Sequence, residues 1–235
     1  MSGAIVLGAR NLGGAIATHL HETGWSPVAA VARSDESLAA VRDRGILGIN
    51  ADATDPVALG QAVAQAGDVA LLVNAVSAAR PAPGPWGGGP LADASPDAYE
   101  AWCGAVSRQA FTFLSVAAAA LRARGEGGTI IQVTGGSARR AMPGRGLWAA
   151  GAAATRALVH AAAQELRTEG IHVALLVVDA TIASPKTADR TRDVPPEALA
   201  DQAEIARAVA YLAGQRATGY THELVVTPSG DRWVP

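Results

Sequence analysis

The sequence predicts an α/β fold, a doubly wound parallel sheet of about seven strands with helices on both faces. Short apolar runs rich in β-branched residues alternate with helical patterns along the chain, which is typical of βαβ units. Hydrophobic residues make up 49% of the chain and charged residues 17%, a balance that suits a sheet buried on both faces. A glycine-rich segment follows the first apolar run, where such folds bring the backbone close to a ligand.

Local signals place the strands and the helix starts. The predicted strands are Ala4–Leu7, Val28–Ala32, Ile46–Asn50, Val69–Val73, Thr129–Val133, Val173–Val178 and Glu223–Thr227. Ser34, Asp55 and Ser95 are predicted helix N-caps, because each carries a short side chain that accepts hydrogen bonds from backbone N–H groups. Pro56 and Pro96 fit the first helical position, where no intrahelical hydrogen bond is lost.

Length, charge and cysteine content limit the possible functions. The 235 residues predict one domain spanning 1–235. A formal net charge of −2, without a lysine- or arginine-rich run, argues against nucleic acid and against an anionic membrane surface. No basic segment precedes the first apolar run and no apolar stretch reaches about 18 residues, so neither a signal peptide nor a membrane span is expected. The single cysteine, Cys103, fits a reducing cytoplasm.

His222 and Glu223 would point to opposite faces of a strand, so no metal site is predicted.

The segment IVLGARNLGGAIATHL resembles the glycine-rich turn of a Rossmann-type dinucleotide-binding domain. Glycines there let the backbone approach a pyrophosphate, whose charge meets a helix N-terminus. The spacing makes the turn one residue short, so that Gly8, Asn11 and Gly13 take the three glycine places. Asn11 suits such a place because asparagine tolerates positive φ better than other non-glycine residues. Arg10 and Leu12 complete the predicted cofactor contacts of this turn.

The end of the second strand favours NADP(H) over NAD(H). A 2′-phosphate requires cations and hydroxyl donors, whereas a free ribose diol favours a carboxylate. Arg33 and Ser34 end the strand without an acid, and Arg10 adds a second cation. We therefore expect NADP(H) as the cofactor, with a purely structural nucleotide, or none, left as alternatives.

Two further segments resemble nucleotide-contacting parts of the short-chain dehydrogenase/reductase superfamily. NADATD resembles its Asp-Val-Thr-Asp segment, which implies that Asp52 and Ala53 lie by the adenine. VNAV matches Asn-Asn-Ala-Gly in part. Asn74 and Ala75 are kept as expected cofactor contacts, and Val76 replaces a glycine and is expected to crowd the cofactor.

The catalytic segments resemble the same superfamily, and the resemblance extends over residues 4–233. TIIQVTGGSARR resembles the strand and loop that carry a serine, and LWAAGAAATRALVHAAAQEL resembles the helix that opens with a tyrosine. Gly135, Trp148 and Ala152 stand where that pattern has the serine, the tyrosine thirteen residues later and a lysine four further on. In the family, the tyrosine donates a proton to the developing alkoxide, the lysine supports it and binds the nicotinamide ribose, and the serine orients the carbonyl. The resemblance therefore implies a retained fold with an emptied proton-handling site.

Four other features are candidates for chemistry. Gln109 could imitate an asparagine that the family places on the helix before the fifth strand. Asp179 is an acid at the carboxyl end of a strand, Trp148 could face a cation with its ring, and Arg139 lies at the substrate loop. These four are the predicted catalytic residues. Further groups able to polarise a substrate or shuttle protons are Arg140, Arg145 and His160.

Three functions remain open on these observations. Loss of one oxyanion-type donor costs roughly 3–4 kcal/mol in the transition state, so ordinary ketone reduction should be negligible. The favoured function is redox-neutral catalysis on a small molecule, such as cyclisation, dehydration or isomerisation, because Ala152 removes a nicotinamide anchor as well as a catalytic group. The second is NADPH-dependent reduction of a protonated imine, which needs no proton donor. The third is a non-catalytic binding protein.

Two stretches and two helices complete the predictions. Arg80–Pro90 and Ile182–Pro196 lack regular patterns and follow strands, so they are predicted to be a substrate wall and a lid. Trp86 and Met142 are expected to line an apolar wall. The long helices Pro96–Ala123 and Trp148–Arg167 correspond to the family's usual subunit interface, which implies a homodimer or homotetramer. Alanine-rich segments that suit close helix packing are Ala117–Ala120 and Ala161–Ala163.

Overall fold

A parallel sheet dominates the computed structural model, which describes residues 2–76 and 84–230. Its strands are β1 (Gly3–Leu7), β2 (Val28–Ala32), β3 (Leu47–Asn50), β4 (Val69–Asn74), β5 (Gly128–Gly135), β6 (Ile171–Val178) and β9 (Glu223–Val226). They follow the order β3-β2-β1-β4-β5-β6-β9, with every neighbouring pair parallel. Two short strands, β7 (Thr181–Ile182) and β8 (Leu199–Ala200), pair with each other outside this sheet.

Helices cover both faces of the sheet. They are α1 (Asn11–Glu22), α2 (Asp35–Arg42), α3 (Pro56–Ala66), α4 (Pro96–Tyr99), α5 (Ala105–Arg124), α6 (Gly146–Leu166), α7 (Ala188–Thr191) and α8 (Gln202–Ala213). Apolar residues of α1, α2 and α8 pack on one face, and those of α3, α5 and α6 pack on the other. The strand order reverses between β1 and β4, which makes this the topological switch point where such folds bind ligands. The predicted doubly wound, seven-stranded fold is confirmed.

The predicted helix caps form the expected hydrogen bonds. The Ser34 hydroxyl accepts from the N–H of Ser37 at 3.3 Å, and Ser95 accepts from Ala98 at 3.1 Å. Asp55 Oδ1 accepts from the N–H groups at positions 57 and 58, at 2.8 and 3.2 Å. Each cap thus satisfies N–H groups that have no partner within their own helix.

The central strands are longer than predicted. All eight residues of β6 are buried because helices cover both faces, so seven of the eight are apolar instead of alternating with polar residues. The predicted start near Val173 left out Ile171 and His172. His172 is only 1% exposed, and its Nε2 lies 3.0 Å from the carbonyl oxygen of Thr221. Likewise β5 continues through Gly135, two residues beyond its predicted end.

The two stretches predicted as irregular have some local structure. The stretch Ile182–Pro196 contains the end of β7, a 3₁₀ turn at Pro185–Thr187 and α7. These pieces are too short to leave a periodic sequence pattern, so the prediction of an unstructured lid was incomplete. Residues 80–83 of the predicted wall lie outside the described residues, and Trp86–Gly88 forms a 3₁₀ turn.

A π-helical turn at Glu100–Gly104 joins α4 to α5, and α6 packs closely against it. A Cβ on Gly151 of α6 would lie 2.8 Å from the Trp102 carbonyl oxygen. By length and composition alone Pro96–Arg124 could cross a membrane, although no such stretch was expected. Its most apolar window is 44% buried, and a single such helix is weak evidence of a membrane span. Alanines that already pack inside this chain are Ala117, Ala118 and Ala163.

Candidate active site

The connection from β1 to α1 makes a tight turn at the carboxyl edge of the sheet, the edge at which β1, β4, β5 and β6 all end. Gly8 has φ +106° and Asn11 has φ +47°, both in the left-handed range. Across residues 2–76 and 84–230, Asn11 is the one non-glycine residue with positive φ. This conformation agrees with the prediction that Asn11 stands in for a glycine.

Two more glycines let α1 begin close to the strand. A Cβ on Gly13 would lie 2.4 Å from the Gly8 carbonyl oxygen, and one on Gly14 would lie 2.6 Å from the Ala9 carbonyl oxygen. The helix follows Arg10, and no side chain caps its first N–H groups. These groups can therefore receive a phosphate. The turn fits the pyrophosphate part of a dinucleotide.

The end of β2 presents a cation. Arg33 is exposed at this end, and Asp35, the nearest acid in sequence, pairs with Arg42 at 2.9 Å. The Ser34 hydroxyl lies 2.8 Å from the Ser37 hydroxyl, in addition to capping α2. Ser34 thus has a structural role as a helix cap, in addition to its predicted contact with a 2′-phosphate.

Asp52 follows β3 and is held as a carboxylate by its own turn. Its Oδ1 accepts from the N–H of Thr54 at 2.9 Å and from the Thr54 hydroxyl at 2.7 Å. These two bonds lower the pKa of Asp52, the charge of Arg33 lowers it further, and partial burial opposes them. Ala53 is 8% exposed beside it. Asp52 is therefore a fixed acceptor near the end of β2.

Ala75 and Val76 leave β4 beside the glycine turn. The Ala75 N–H donates to the Leu7 carbonyl oxygen at 3.1 Å, which extends the pairing of β4 with β1. A Cβ on Gly8 would lie 3.4 Å from Val76 Cγ2, so the Val76 side chain lies against the turn. This placement is consistent with the crowding that the sequence predicts.

Three buried amides meet where β4 ends. Asn74 Nδ2 donates to Gln109 Oε1 and to Gln132 Oε1, both at 2.9 Å, and Asn74 Oδ1 accepts from the Val76 N–H at 3.1 Å. Gln132 Nε2 donates to the Val133 carbonyl oxygen at 2.8 Å. These backbone contacts fix the orientation of Asn74 and Gln132, which in turn directs the oxygen of Gln109 toward Asn74. Gln109 Nε2 is buried without a hydrogen-bond partner in the described part of the chain.

A carboxylate and a guanidinium meet at the ends of β5 and β6. Asp179 is 4% exposed, and its Oδ2 accepts from Arg140 Nη1. A Cβ on Gly136 would fall 1.8 Å from Asp179 Oδ1, so this glycine makes room for the carboxylate. In contrast, a Cβ on Gly135 would meet only the Val178 carbonyl oxygen, at 3.9 Å. Asp179 is thus a buried, paired acid next to an open position.

Arg139 points to a different carboxylate. Its Nε lies 3.6 Å from Glu223 Oε1, while Arg156 Nε and His160 Nε2 approach Glu223 Oε2 at 2.6 and 2.9 Å. Burial works to raise the pKa of Glu223, but the Arg156 hydrogen bond and the charges of Arg156, His160 and Arg139 outweigh it and lower that pKa. The structure therefore places Arg140 with Asp179, and it places the predicted Arg139 in a separate cluster.

A cluster of three indoles occupies the start of α6. Trp148 lies 5.7 Å from Trp86 and 5.9 Å from Trp102 between ring centroids, and Trp86 lies 5.6 Å from Trp102. The tilted and edge-to-face arrangements suit aromatic rings. One turn further along α6, Ala152 is only 1% exposed. Trp148 therefore packs against two other rings.

Sequence reasoning missed the partners in these contacts. Gln132 lies within an apolar strand, and only the pairing of β4 with β5 places it opposite Asn74. A polar residue in a buried run was the available signal. Trp102 gave no such signal, because contacts between distant segments bring it to Trp148. Among the described residues, no group of three His, Cys, Asp or Glu side chains could hold a metal ion.

These features define a Rossmann-type domain with a glycine turn at its switch point. Comparisons with known proteins give the same fold. A model of the enoyl-(acyl carrier protein) reductase family matches residues 6–230. No curated protein sequence matches significantly. The chain belongs to this family, within the short-chain dehydrogenase/reductase superfamily, as the resemblance in sequence predicted.

Solved structures with the same fold include nucleotide complexes. A metagenomic short-chain oxidoreductase in complex with NADP is 25% identical, with a TM-score of 0.73 over 96% of each chain. A blue fluorescent protein from a metagenomic library, in complex with NADPH, is 26% identical, with a TM-score of 0.75 over 96% of each chain. A mutant of a Serratia marcescens short-chain dehydrogenase/reductase is 26% identical, with a TM-score of 0.77 over 95% of each chain.

Proposed function

We propose that this chain is an NADP(H)-binding enzyme that acts on a small molecule without the proton relay of ordinary ketone reductases. Gly135, Trp148 and Ala152 stand where that relay has its serine, tyrosine and lysine. An indole N–H is a donor only and cannot release a proton near neutral pH. A glycine and an alanine supply no donor at all.

The nucleotide half of the proposal rests on the turn and on its cations. A pyrophosphate fits this turn for three reasons. Asn11 has a left-handed backbone conformation, Gly13 has no room for a side chain, and no side chain caps the start of α1. Arg10 and Arg33 suit a 2′-phosphate, and two similar proteins bind NADP or NADPH. When bound, NADPH would supply a reducing equivalent. The buried Ala152 offers no ammonium to the nicotinamide ribose.

Redox-neutral catalysis is the function that we favour, and the Asp179–Arg140 pair is the observation that carries it. A carboxylate can take a proton from one substrate position and return it to another, as cyclisation, dehydration and isomerisation require. Asp179 stands at the carboxyl end of β6 beside the open position at Gly135. Arg140 keeps the carboxylate in place and supplies positive charge for an oxyanion.

Reduction of a protonated imine is the second candidate. Such an acceptor is already cationic, so its reduction generates no alkoxide and requires no tyrosine. The ring of Trp148 suits a cation, and Asp179 supplies a negative charge at the same edge. The retained phosphate-binding turn favours this candidate more than a function without nucleotide.

Calorimetry with NADPH and NADP⁺ and an assay of NADPH oxidation test the proposal together. We expect nucleotide binding and no NADPH oxidation with ketones. Absence of binding at millimolar nucleotide would remove NADP(H) from the proposal, and rapid reduction of a simple ketone would overturn it. NADPH oxidation with a cyclic imine would replace redox-neutral catalysis by the second candidate.

Asp179→Asn separates chemistry from folding when turnover of a redox-neutral substrate is measured beside nucleotide binding. The amide keeps the size of the side chain and an acceptor for Arg140, but it cannot take up a proton. We expect at least about a hundredfold loss of turnover, within the range that general acid–base groups contribute, with nucleotide affinity unchanged. Turnover equal to that of the native chain would exclude Asp179 as the proton carrier.

A homodimer or homotetramer in the cytoplasm remains our proposal for the working form. Ala161 is exposed on α6 and Ala119 is exposed on α5, so these helices keep small residues on their outer faces. Light scattering at micromolar protein concentration measures the assembly directly. A monomeric mass under those conditions would contradict it.

A further inference from the structure

Three arginines lie between β5 and α6, and they differ in their partners. Arg139 pairs with Glu223 and Arg140 pairs with Asp179. Arg145 forms no salt bridge with a carboxylate anywhere in residues 2–76 and 84–230. Its guanidinium contacts the Trp86 ring, 4.7 Å from the centroid, and the Met142 sulfur at 3.9 Å. Arg145 therefore presents a positive charge that no carboxylate of the described residues neutralises.

The cation–π contact with Trp86 orders this guanidinium. A stacked guanidinium covers an aromatic ring with its face and keeps N–H groups in its plane for a carboxylate or phosphate. Trp86 is itself held by Trp102 and Trp148, with centroids 5.6 and 5.7 Å away. Part of the conformational entropy that Arg145 would lose on binding an anion has therefore been lost already.

Glycines hold the Trp86 loop directly against Arg145. Gly87, Gly88 and Gly89 have φ values of +84°, +96° and +78°, which disfavour any other residue. A Cβ on Gly87 would lie 3.1 Å from Arg145 Cα. The close approach of the loop to the start of α6 thus fixes the position of the Trp86 ring under the guanidinium.

Exposed apolar side chains surround the charge. Trp86 is 37% exposed, Met142 is 41% exposed and Leu91 is 71% exposed. A Cβ on Gly146 would lie 3.7 Å from Leu91 Cδ1, so Leu91 reaches the same end of α6. We name these three residues together with Arg145 the Arg145 patch. Apolar surface beside a cation without a described carboxylate partner suits a ligand with a matching apolar body and anionic group.

We propose that the Arg145 patch binds the carboxylate of an amphipathic substrate, a small molecule with a flat apolar body. Arg145 pairs with the carboxylate, and Trp86, Leu91 and Met142 cover the apolar part. The inference rests on the proposed function, because it assigns the substrate class of the same edge of the sheet. It also gives the unpaired arginine a role distinct from that of Arg140.

Two probes that differ only in charge test this proposal. Naphthalene-2-carboxylate and naphthalene-2-carboxamide share the apolar body, and calorimetry measures the affinity of the full chain for each. We expect the carboxylate to bind about tenfold more tightly, equivalent to about 1.4 kcal/mol. Equal affinities for the two probes, or binding of neither at millimolar concentration, would overturn the proposal.

Matched arginine variants locate the charge that is responsible. Arg145→Gln should abolish the preference for the carboxylate, and Arg145→Lys should retain part of it because the charge remains. Arg216→Gln changes the net charge equally at an exposed position after α8, and it should keep the full preference. A preference that survives in Arg145→Gln, or disappears in Arg216→Gln, would place the responsible charge elsewhere and overturn the proposal.

NADP⁺ binding separates this inference from the proposed function. Arg145→Gln should bind NADP⁺ as tightly as the native chain, because the patch lies outside the glycine turn. If the native chain binds nucleotide but shows no preference for the carboxylate, only the proposal for the Arg145 patch is overturned. Failure of the native chain to bind nucleotide, with the charge preference intact, would overturn only the nucleotide half of the proposed function.

Discussion

Two regions at the carboxyl edge of the sheet, the turn after β1 and the start of α6, differ in their side-chain packing. At the end of β1, Gly8, Asn11 and Gly13 bring the backbone together and leave the first N–H groups of α1 without a side-chain cap. At the start of α6, by contrast, Trp148 packs against two other indoles and Ala152 is buried. The backbone of the first region is shaped to fit a phosphate, whereas in the second region the Trp148 side chain packs against other rings of the protein.

This difference teaches that binding and proton transfer are separable in such a fold. The glycine turn after β1 depends on backbone conformation, which a few glycines and one asparagine determine. Proton transfer depends on individual side chains, which can be exchanged without altering the sheet. We therefore expect variants in the two regions to change different measured quantities.

Introducing a lysine on α6 should give the largest change in the free energy of unfolding. Ala152→Lys would place an ammonium group on a residue that is 1% exposed. An uncompensated buried charge lowers the free energy of unfolding by about 3–5 kcal/mol. Urea unfolding measures this loss, and Gly135→Ser provides the control. A Cβ there has its nearest contact at 3.9 Å, so a change within about 0.5 kcal/mol is expected. Equal stability of the two variants would show that the lysine position has stayed open.

The glycine turn should respond with a smaller change in stability and a specific change in binding. Gly13→Ala would force a methyl group to within 2.4 Å of the Gly8 carbonyl oxygen, at a cost of about 1–3 kcal/mol. NADP⁺ affinity measured by calorimetry should fall at least about tenfold. Gly60→Ala in α3 is the matched control. Its Cβ meets no atom within 4 Å, so a gain of up to about 1 kcal/mol is expected. Unchanged nucleotide binding in Gly13→Ala would refute the assignment of this turn.

Protonation of a histidine outside both regions should give the smallest change in stability. Burial lowers the pKa of His172 below the ordinary 6.5, opposed by its backbone hydrogen bonds and reinforced by the charge of His222. The unfolded chain therefore takes up the proton more readily. Stability is fully present above about pH 6.5 and declines as the pH falls from there through the lowered pKa. Denaturation midpoints measured across this range should show the decline.

Two substitutions assign that decline. His172→Phe can retain stacking on Tyr220, which is 4.2 Å away between centroids, and it should flatten the pH dependence. His21→Gln changes an exposed histidine and should leave the decline as it is in the native chain. A flat native profile, or an unchanged profile in His172→Phe, would show that another group is responsible.

Local chemistry predicted much of this fold, and tertiary contacts determined the rest. The caps at Ser34 and Asp55 follow from short side chains beside free N–H groups, and Asn11 follows from tolerance of positive φ. Sequence order could not tell which of the adjacent Arg139 and Arg140 faces Asp179. The direction of each side chain depends on the loop after β5 and on its contact with Gly136.

The candidate site was less predictable because its contacts join distant segments. Asn74 and Gln132 meet through the register of β4 and β5, which no local pattern encodes. The indoles at positions 86, 102 and 148 belong to three separate elements that only the folded chain assembles. The short strands β7 and β8 were missed because two residues carry no periodicity.

The indole cluster has an optical consequence. Three of the five tryptophans lie within 6 Å of one another, close enough for their electronic transitions to couple and for excitation energy to pass between them. Such coupled chromophores give circular dichroism bands that isolated indoles lack, and these bands depend on the angles between the rings. The protein therefore carries an internal spectroscopic reporter in this indole cluster, and a molecule that binds there and tilts one ring changes the spectrum without any attached dye.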